Sequence, residues 1–380
     1  MTGARRVYLD WNASAPLRPE AKAALIDALD LTGNPSSQHS EGRRARAAIE
    51  RAREQVARLV GAEPAEVVFT SGATEAANQA LRATPWRALR LSRGEHAAVL
   101  EAACAQGGEP GCALDWADPR PDGALDAARM ARPFEDEGPA LLVGAAAQGE
   151  TGAAEPPGAL CDWARAAGAR AFCDATQLAG KAAFAAASGA AATYRFETEY
   201  AALSAHKFGG PRGVGALLAR DGLAPEPLIR GGGQELRRRS GTENLAGIVA
   251  MGAAAEAAAA DFARGVWESV LAMRRRLEVG VREARPDAVI HAEAAPWRLA
   301  NTLSLAAPGL RAETLLMRLD LSGFAVSAGS ACSSGKMSPS PVLAAMGVAP
   351  EIAAATIRIS FGPATTEAEI DAFLAAWARL

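Results

Sequence analysis

The sequence predicts an α/β protein built on a mostly parallel sheet with helices on both faces, followed by a smaller α+β domain. Short apolar runs of strand length alternate with helical patterns through the first part of the chain, as they do in βαβ units. One of these strands runs directly into a glycine turn that opens a helix. After a long helical stretch, the pattern resets near residue 301 to a mixture of strands and helices. A domain boundary is expected near residues 250–265.

Local patterns define the elements of the first part. Residues 41–60 carry apolar side chains at helical spacing with charged residues between them, which predicts an amphipathic helix. The β-branched run at residues 66–70 predicts a buried strand. The same reasoning predicts helices at 71–81 and 158–167, and strands at 140–145, 170–173, 200–204 and 213–219.

The second part begins with an irregular segment. Residues 226–244 are rich in glycine and arginine and predict no regular element, whereas residues 245–282 predict one or two long helices. Beyond residue 301, the patterns predict strands at 301–305 and 355–361, helices at 313–320 and 339–347, and a last helix that begins after the cap residue Thr366.

Composition excludes several classes of protein. The chain has 380 residues, of which 49% are hydrophobic and 22% charged, with a formal net charge of −3. This balance is too apolar for a disordered chain and favours neither nucleic acid nor a membrane surface as a partner. A transmembrane helix is not expected because no run of about 18 apolar residues exists. The first residues also lack the apolar core of a signal peptide. We therefore expect a soluble, cytoplasmic protein.

Few residues can supply an amine, an imidazole or a thiol. The chain has five cysteines, whose spacing predicts neither a metal site nor a disulfide framework. Four of them lie among apolar residues and are expected to be buried, whereas Cys332 lies in a loop of small residues, where an exposed thiol is expected to be reactive. The only lysines and histidines are Lys22, Lys181, Lys207, Lys336, His39, His96, His206 and His291.

Candidate functional residues follow predicted strands, at the edge where α/β folds bind ligands. Lys207 follows an apolar strand and precedes a glycine turn. Partial burial there would lower its pKa and suit it to form a Schiff base, although a solvated turn lysine is the alternative. Lys181 also follows a glycine turn and is interpreted as an ordinary lysine. Asp174 either caps the following turn or pairs with a protonated ring nitrogen of a cofactor.

A phosphate site is predicted next to these residues. The glycine turn at residues 72–74 opens a helix whose free N–H groups suit a phosphate, although many such turns bind nothing. Ser204 and His206 lie beside Lys207 and are further candidates. An amine, a carboxylate for a pyridinium and a phosphate cradle are together the parts that pyridoxal phosphate requires.

Over nearly its whole length, the chain resembles the cysteine desulfurases, which are pyridoxal-phosphate enzymes of aminotransferase class V. The cysteine motif is similar to that of the nitrogen-fixation and housekeeping desulfurases. The motifs that carry the resemblance are YLD at residues 8–10, GNPSSQH at 33–39, TSGATE at 70–75, EH at 95–96, ETG at 150–152, DATQ at 174–177, SAHKFGGPRGVGAL at 204–217, GGGQE at 231–235, RSGTEN at 239–244, NTLSL at 301–305, SAGSACSSG at 327–335 and IRISFG at 357–362.

The resemblance implies a fold and a set of roles. The fold would be the type I fold of pyridoxal-phosphate enzymes, with a seven-stranded sheet in a large domain of residues 15–255. Residues 1–14 and 256–380 would form the small domain, which carries the cysteine loop. Lys207 would bind the cofactor and move the Cα proton, His96 would stack on the ring and assist proton transfer, and Cys332 would be the nucleophile.

The resemblance also implies binding residues. Arg358 would take the substrate carboxylate, for which its planar fork is suited, and Asn34 would also contact the substrate. The implied cofactor contacts are Ala73, Thr74, His96, Asp174, Gln177, Ser204, His206 and Lys207, with Thr242 contributed by the other subunit of a homodimer.

The implied reaction removes sulfur from L-cysteine and leaves L-alanine and a Cys332 persulfide. A mobile loop would carry this sulfur to an acceptor protein, such as an iron–sulfur scaffold. One alternative keeps pyridoxal phosphate but acts on selenocysteine or cysteine sulfinate, or as an aminotransferase. Another alternative is a partner-binding scaffold without activity.

The chain departs from the family pattern at four places. Gln148-Gly149 replaces an Asn-Asn pair, so the cofactor contact of the second asparagine is either lost or supplied by Gln148. Ala13-Ser14-Ala15 replaces a run with two threonines, and Leu236-Arg237 replaces an Arg-Gly pair. The segment between residues 181 and 203 is longer than usual. These changes affect the expected substrate preference and turnover more than the expected cofactor.

Overall fold

The computed structural model describes residues 6–82, 85–135, 138–186, 188–223, 225–329 and 340–380. Numbered along the chain, its strands are β1 (Val7–Tyr8), β2 (Val67–Thr70), β3 (Ala88–Leu91), β4 (Ala113–Trp116), β5 (Ala140–Ala145), β6 (Ala153–Ala154), β7 (Arg170–Asp174), β8 (Ala183–Ala185), β9 (Ala191–Ala192), β10 (Tyr200–Ser204), β11 (Gly215–Ala219), β12 (Val289–Ile290), β13 (Trp297–Leu299), β14 (Thr302–Ala306), β15 (Phe324–Ala325), β16 (Ser327–Ala328) and β17 (Thr356–Ser360).

The helices of the described residues alternate with these strands. They are α1 (Pro19–Leu29), α2 (Ser40–Val60), α3 (Ala73–Arg82), α4 (Ala97–Gly107), α5 (Ala127–Met130), α6 (Ala159–Ala167), α7 (Leu245–Ala263), α8 (Val266–Ala284), α9 (Ala312–Leu321), α10 (Pro341–Ala345), α11 (Pro350–Ala353) and α12 (Glu367–Trp377). Short 3-10 turns lie at Pro64–Glu66, Ala205–Lys207 and Gln234–Arg237.

The largest sheet has seven strands in the order β2-β11-β10-β7-β5-β3-β4. All its neighbours pair in parallel except β11, which runs antiparallel to both β2 and β10. The sheet has a core on each face. In β7, Ala171 and Cys173 contribute to one core, with α2 and α7, while Phe172 contributes to the other, with α3 and α4. The expected seven-stranded, mostly parallel sheet with helices on both faces is confirmed.

A third core surrounds an antiparallel sheet with the order β12-β14-β17-β16. Leu303 and Ile357 of this sheet pack with Leu277 of α8 and Phe373 of α12. Another antiparallel sheet has the order β6-β13-β8-β9. Strands β8 and β9 come from the long segment after residue 181, which therefore extends this sheet. The division into domains at residues 14 and 255 stays a prediction.

The long helical stretch that begins at residue 245 is two helices. Gly265 separates α7 from α8 with a left-handed φ of 69°, a conformation that glycine adopts without steric cost. At the other end of the chain, Thr366 caps α12 as predicted, because its side chain accepts a hydrogen bond from the N–H of Glu369.

The family's Arg-Gly pair is replaced at a strained turn. Glu235, Leu236 and Arg237 have positive φ angles of 46°, 56° and 66°, which are costly for residues with a Cβ. Buried Glu235 holds this turn in place. Its carboxylate accepts two hydrogen bonds of 2.7 Å from Arg53 and one of 2.9 Å from the N–H of Phe69.

Helix α7 is mostly apolar, with Glu256 and Asp261 as its only charged residues. Of the helices in the described residues, it alone is long and apolar enough to cross a membrane by length and composition. Half of this stretch is buried, however, and α7 packs on α1 and α2. Near its end, Asp261 forms an ion pair of 2.6 Å with Arg18. A buried helix in the core of a globular protein meets the same criterion.

The expectation that four cysteines are buried is wrong for three of them. Cys173 on β7 is buried, but Cys112 and Cys161 are half-buried and Cys104 is exposed. Cys104 lies on an outward face of α4, so its apolar neighbours in sequence do not share its surroundings. Cys332 lies outside the described residues.

Candidate active site

Lys207 ends the 3-10 turn that follows β10, at the carboxyl edge of the large sheet. Its Nζ donates hydrogen bonds to the backbone oxygens of Asn12 (2.7 Å) and Ala13 (3.1 Å). Strand β7 is the parallel neighbour of β10 and ends at Asp174. The amine and this carboxylate therefore lie at the same edge, as the strand pattern predicts.

Asn12 connects the residues around Lys207, although the sequence analysis assigned it no role. The side chain is buried. Hydrogen bonds of 2.8–3.2 Å join Asn12 to Gln177, Gly149, Asn301, Thr302 and Ser360. Asn12 thus links the edge of the large sheet to strands β14 and β17. Its only signal in the sequence is its place two residues after the YLD motif.

The interpretation of Lys181 as an ordinary turn lysine is wrong. Lys181 is 2% exposed, and its Nζ donates to Gln177 Oε1 (2.6 Å) and Asn12 Oδ1 (2.9 Å). Burial, followed by the charges of Lys207 and Arg358, lowers the pKa of Lys181 well below its ordinary value. The apolar residues on both sides of it in the sequence are the signal that could have indicated this burial.

Gln177 occupies the space next to Gly149. A Cβ placed on Gly149 would lie 2.9 Å from Gln177 Nε2. Gln148 does not replace the missing family asparagine, because backbone groups engage both ends of its amide. Its Nε2 donates to the oxygen of Gly94 (2.8 Å), and its Oε1 accepts from the N–H of Glu150 (2.5 Å).

Asp174 has a buried acidic neighbour. Its own carboxylate accepts a hydrogen bond from the N–H of Thr176 (3.0 Å), the local contact expected of a turn cap. Nearby Glu95 is 4% exposed and accepts a bond from the N–H of Ala145 (3.3 Å), while its Oε2 has no hydrogen-bond partner among the described residues. Burial, and then the charge of Asp174, raises the pKa of Glu95 to about 8. At neutral pH, Glu95 therefore adds no second negative charge beside Asp174.

The predicted phosphate residues lie where α3 begins. Ala73 and Thr74 form the first turn of α3, whose N–H groups have no acceptor within the helix. Buried Ser204 ends β10, and its Oγ lies 3.9 Å from the position of a Cβ on Gly72. A hydroxyl and free N–H groups therefore meet at this turn.

The two predicted histidines lie in the turn after β10 and at the start of α4. The Nδ1 of His206 is 3.3 Å from Ser14 Oγ. Burial, followed by the charge of Lys207, lowers the pKa of His206 to about 4, so its ring is neutral at pH 7. His96 caps α4, and its Nδ1 accepts from the N–H of Ala98 (3.1 Å). The neutral ring of His96 therefore carries its proton on Nε2.

Arg358 on β17 is buried and connected to the same cluster. Its Nη2 bonds to Asp10 Oδ1 (2.9 Å), and its Nη1 donates to the oxygen of Gly149 (3.2 Å). Its Nε is buried without a hydrogen-bond partner in the part of the chain that the structure describes. The oxygen of Gly149 also accepts from Asn12, which contacts Lys207.

Asn34 and Thr242 do not join this cluster in the single chain. Asn34 is exposed, and its Oδ1 accepts from the N–H two residues further on (2.8 Å). Thr242 is also exposed, in a stretch that an ion pair of 2.9 Å between Arg239 and Glu75 fastens to α3. Among the described residues, no hydrogen bond connects either side chain to Asn12.

Glu150 contacts both described residues that flank the segment containing Cys332. Its Oε2 accepts a hydrogen bond from Ser340 Oγ (2.8 Å). On the other side, a Cβ on Gly329 would collide with the Glu150 carboxylate, so the glycine permits this close approach. Glu150 of the ETG motif therefore contacts the described chain on both sides of the segment that contains Cys332.

The sequence has extensive similarity to known proteins. The sequence model of the aminotransferase class-V family matches residues 7–373. The chain is 40% identical over 376 residues to a cysteine desulfurase from Cereibacter sphaeroides, covering 97% of this chain and 94% of the relative. It is 35% identical over 375 residues to the cysteine desulfurase IscS from Dictyoglomus turgidum, covering 97% and 92% of the two chains.

Solved structures show the same similarity. A NifS-like protein superposes with a TM-score of 0.87 at 32% identity, covering 98% of each chain. A structure described as SspA in complex with cysteine superposes with a TM-score of 0.76 at 26% identity, covering 95% of this chain and 100% of that one. The resemblance inferred from the motifs is thereby confirmed. The chain belongs to the aminotransferase class-V family, and the relatives that match it along nearly its whole length are cysteine desulfurases.

Proposed function

We propose that the protein is a pyridoxal-phosphate-dependent cysteine desulfurase, which converts L-cysteine to L-alanine and keeps the sulfur as a persulfide on Cys332. The observation that carries the proposal is the connection from Lys207 through Asn12 and Gly149 to Arg358. This connection brings an amine suited to a pyridoxal cofactor into one cluster with a guanidinium suited to an amino-acid carboxylate. The full-length similarity to cysteine desulfurases supports the same chemistry.

The donor groups at the site fit pyridoxal phosphate. The buried Ser204 hydroxyl lies beside the free N–H groups of the α3 turn, which is the chemistry that a phosphate needs. When bound, the cofactor withdraws electrons from the substrate Cα and makes its proton acidic. The residues that would hold it are Lys207 through its amine, Asp174 at the ring nitrogen, Gln177 at the phenolic oxygen, His96 on the ring face, and Ala73, Thr74, Ser204 and His206 at the phosphate.

Two residues move protons in this proposal. Lys207 removes the proton from the substrate Cα, and the carbonyl oxygens of Asn12 and Ala13 hold its Nζ at the sheet edge. His96 assists with the proton on its Nε2, since the cap contact with Ala98 occupies its Nδ1.

Arg358 binds the α-carboxylate of the substrate, with Asn34 as a second contact. A guanidinium has five N–H donors, and the contacts with Asp10 and Gly149 leave several of them for a ligand. Asp10 holds the guanidinium in a fixed orientation, which favours bidentate recognition of a carboxylate.

Cys332 takes the sulfur. Its thiolate attacks the substrate sulfur, so an S–S bond forms while the substrate C–S bond breaks. The electron pair of the broken bond goes to carbon, which takes up protons and leaves as L-alanine. The substrate sulfur loses the two electrons that the carbon gains, so no external oxidant is needed. The persulfide then passes its sulfur to an acceptor protein, such as an iron–sulfur scaffold.

The proposal includes a homodimer in the cytoplasm. In the single chain, Thr242 is exposed and its stretch is fastened to α3, the helix that begins at the phosphate residues. This arrangement supports the exchange of a threonine between subunits, in which the partner subunit's Thr242 completes the phosphate site.

The glycine at position 149, where the family pattern has an asparagine, favours a second candidate function. The family asparagine is missing here, and the amide of Gln148 is engaged by Gly94 and Glu150. An altered substrate side of the site fits an enzyme that acts on selenocysteine or cysteine sulfinate instead of cysteine.

Product analysis tests both candidates. The purified protein, loaded with pyridoxal phosphate, is incubated separately with L-cysteine, L-selenocysteine and L-cysteine sulfinate in the presence of a reductant. The variant Cys332→Ala and the control Lys22→Ala, at an exposed lysine of α1, are treated in the same way. Equal amounts of alanine and sulfide, lost only in Cys332→Ala, support desulfuration through Cys332. Alanine formation that survives in Cys332→Ala supports the second candidate. A loaded protein that yields no product from any of the three substrates contradicts both.

A further inference from the structure

Lys181 is a buried amine that the proposed reaction leaves without a role. It is 2% exposed, and among the described residues no carboxylate forms an ion pair with it. The charged groups that face it are Lys207 and Arg358, both positive. Burying an amine without a counter-charge is unfavourable, so a purely structural position would be filled better by an apolar side chain.

The contacts of Lys181 determine how the amide of Gln177 is oriented. The Nζ of Lys181 acts as the donor in both of its hydrogen bonds. The Gln177 atom 2.6 Å from Lys181 Nζ is therefore the oxygen Oε1, and the donor Nε2 faces the other way, where it bonds to the oxygen of Asn12 (3.0 Å). Without Lys181, one of the two contacts that set this orientation is lost, and only the bond from Nε2 to the Asn12 oxygen remains.

The glycine at position 149 makes this orientation more consequential. Gln177 fills the space beside Gly149, and Gln148 is engaged elsewhere. The family pattern has this glutamine and also an asparagine at position 149. In this chain, position 149 has no side chain, so only Gln177 of that pair supplies an amide to the site.

We propose that Lys181 is a positioning residue that holds the Gln177 amide with its NH₂ group available to the phenolic oxygen of the cofactor. The assignment rests on the proposed function, because it requires pyridoxal phosphate at Lys207. A donor toward the phenolic oxygen stabilises its anionic form and thereby lowers the pH at which the bound cofactor loses its proton.

The test is an absorbance titration of the cofactor-loaded protein between pH 5 and 10, with Lys181→Met compared with wild type and with Lys22→Met. Methionine has a similar length and cannot donate, while Lys22 is exposed on α1. The pH at the midpoint of the cofactor's absorbance change is expected to rise by about one unit in Lys181→Met and to stay unchanged in Lys22→Met. Lys181→Leu, which also removes the donor, is expected to give the same rise and serves as the test if Lys181→Met does not fold. Lys181→Arg, which keeps a donor, is expected to keep the wild-type midpoint.

A double-mutant cycle shows whether Lys181 acts through Gln177. In the Gln177→Ala background, Lys181→Met is expected to produce less than half of the shift that it produces in wild type. A wild-type midpoint in Lys181→Met, or an equal shift in both backgrounds, would overturn the assignment while leaving the proposed function intact. A wild-type protein that takes up no pyridoxal phosphate would overturn both.

Discussion

The side chain of Gln177 lies where a side chain at position 149 would need to be. A Cβ on Gly149 would be 2.9 Å from Gln177 Nε2 and 3.1 Å from its Cγ. Lys181 and Asn12 bond to the two ends of the Gln177 amide, so it does not move aside freely. The loss of a side chain at position 149 and the position of Gln177 are therefore one coupled feature.

This coupling predicts the effect of Gly149→Ala. The added methyl group overpacks against Gln177 and is expected to lower the free energy of unfolding by about 1–3 kcal/mol. In the Gln177→Ala background, where the space is open, the expected cost is below about 0.5 kcal/mol. Urea unfolding of the cofactor-free proteins measures both values. Equal costs in the two backgrounds would show that Gln177 does not occupy this space in solution.

Glu95 predicts a specific pH dependence of stability. Its pKa is about 8 in the folded protein, above the ordinary value of 4.5, so between these values the folded state binds more protons than the unfolded state. Its contribution to stability is therefore complete below pH 4.5 and is lost as the pH rises to 8. Glu95→Gln keeps the neutral shape and is expected to flatten the wild-type decline by up to about 1.4 kcal/mol per pH unit in this window.

Urea unfolding at pH 5, 6, 7 and 8 measures this decline. Glu155, whose pKa burial raises to about 7, contributes a decline of the same sign, so the difference between wild type and Glu95→Gln is the relevant quantity. If that difference is the same at pH 5 and pH 8, Glu95 does not titrate in this range.

Arg358→Lys tests carboxylate binding. Lysine keeps the positive charge but loses the planar fork, so the KM for L-cysteine is expected to rise about 10–100-fold while kcat changes less. The matched control is Arg276→Lys, at an exposed arginine that forms two bonds with Asp371 (2.7 and 2.8 Å). Steady-state alanine production gives both constants. A fall in kcat with an unchanged KM would place Arg358 outside substrate binding.

The strained turn predicts that Arg237→Gly stabilises the protein. Arg237 has a φ of 66°, and glycine adopts this conformation without a Cβ penalty. The free energy of unfolding is expected to rise by about 1 kcal/mol, whereas Arg237→Ala, which keeps a Cβ, is expected to leave it nearly unchanged. Thermal denaturation compares the two variants. An equal gain in the free energy of unfolding in both variants would show that the effect comes from loss of the arginine side chain and not from relief of backbone strain.

The sequence predicts best where an element or residue depends on its neighbours in the chain. Strand β10 is observed at its predicted bounds, and Lys207 and Asp174 follow strands as expected, because hydrophobic pattern and turn chemistry are local signals. The apolar neighbours of Lys181 in sequence could indicate that it is buried, but they do not indicate its partner. Asn12 is 169 residues away, and no local pattern records that contact.

The same limit applies to faces of helices and to departures from the family pattern. Cys104 has apolar neighbours in sequence but lies on an exposed part of α4, which only the rotation of the helix in the fold decides. Gly149 is visible as a departure, yet the side chain that fills its space belongs to Gln177 on a different segment.

Asn12 also determines when the site can be completed during synthesis. Its N–H bonds to the side chain of Ser360, which follows it by 348 residues (2.9 Å), and its side chain bonds to Thr302, which follows it by 290. During synthesis, Asn12 is made early, and its hydrogen bonds to Thr302 and Ser360 can form only when the chain is nearly complete. A chain that ends between Lys207 and Thr302 therefore has Lys207 but lacks these two hydrogen bonds that hold Asn12, whose carbonyl oxygen accepts from Lys207.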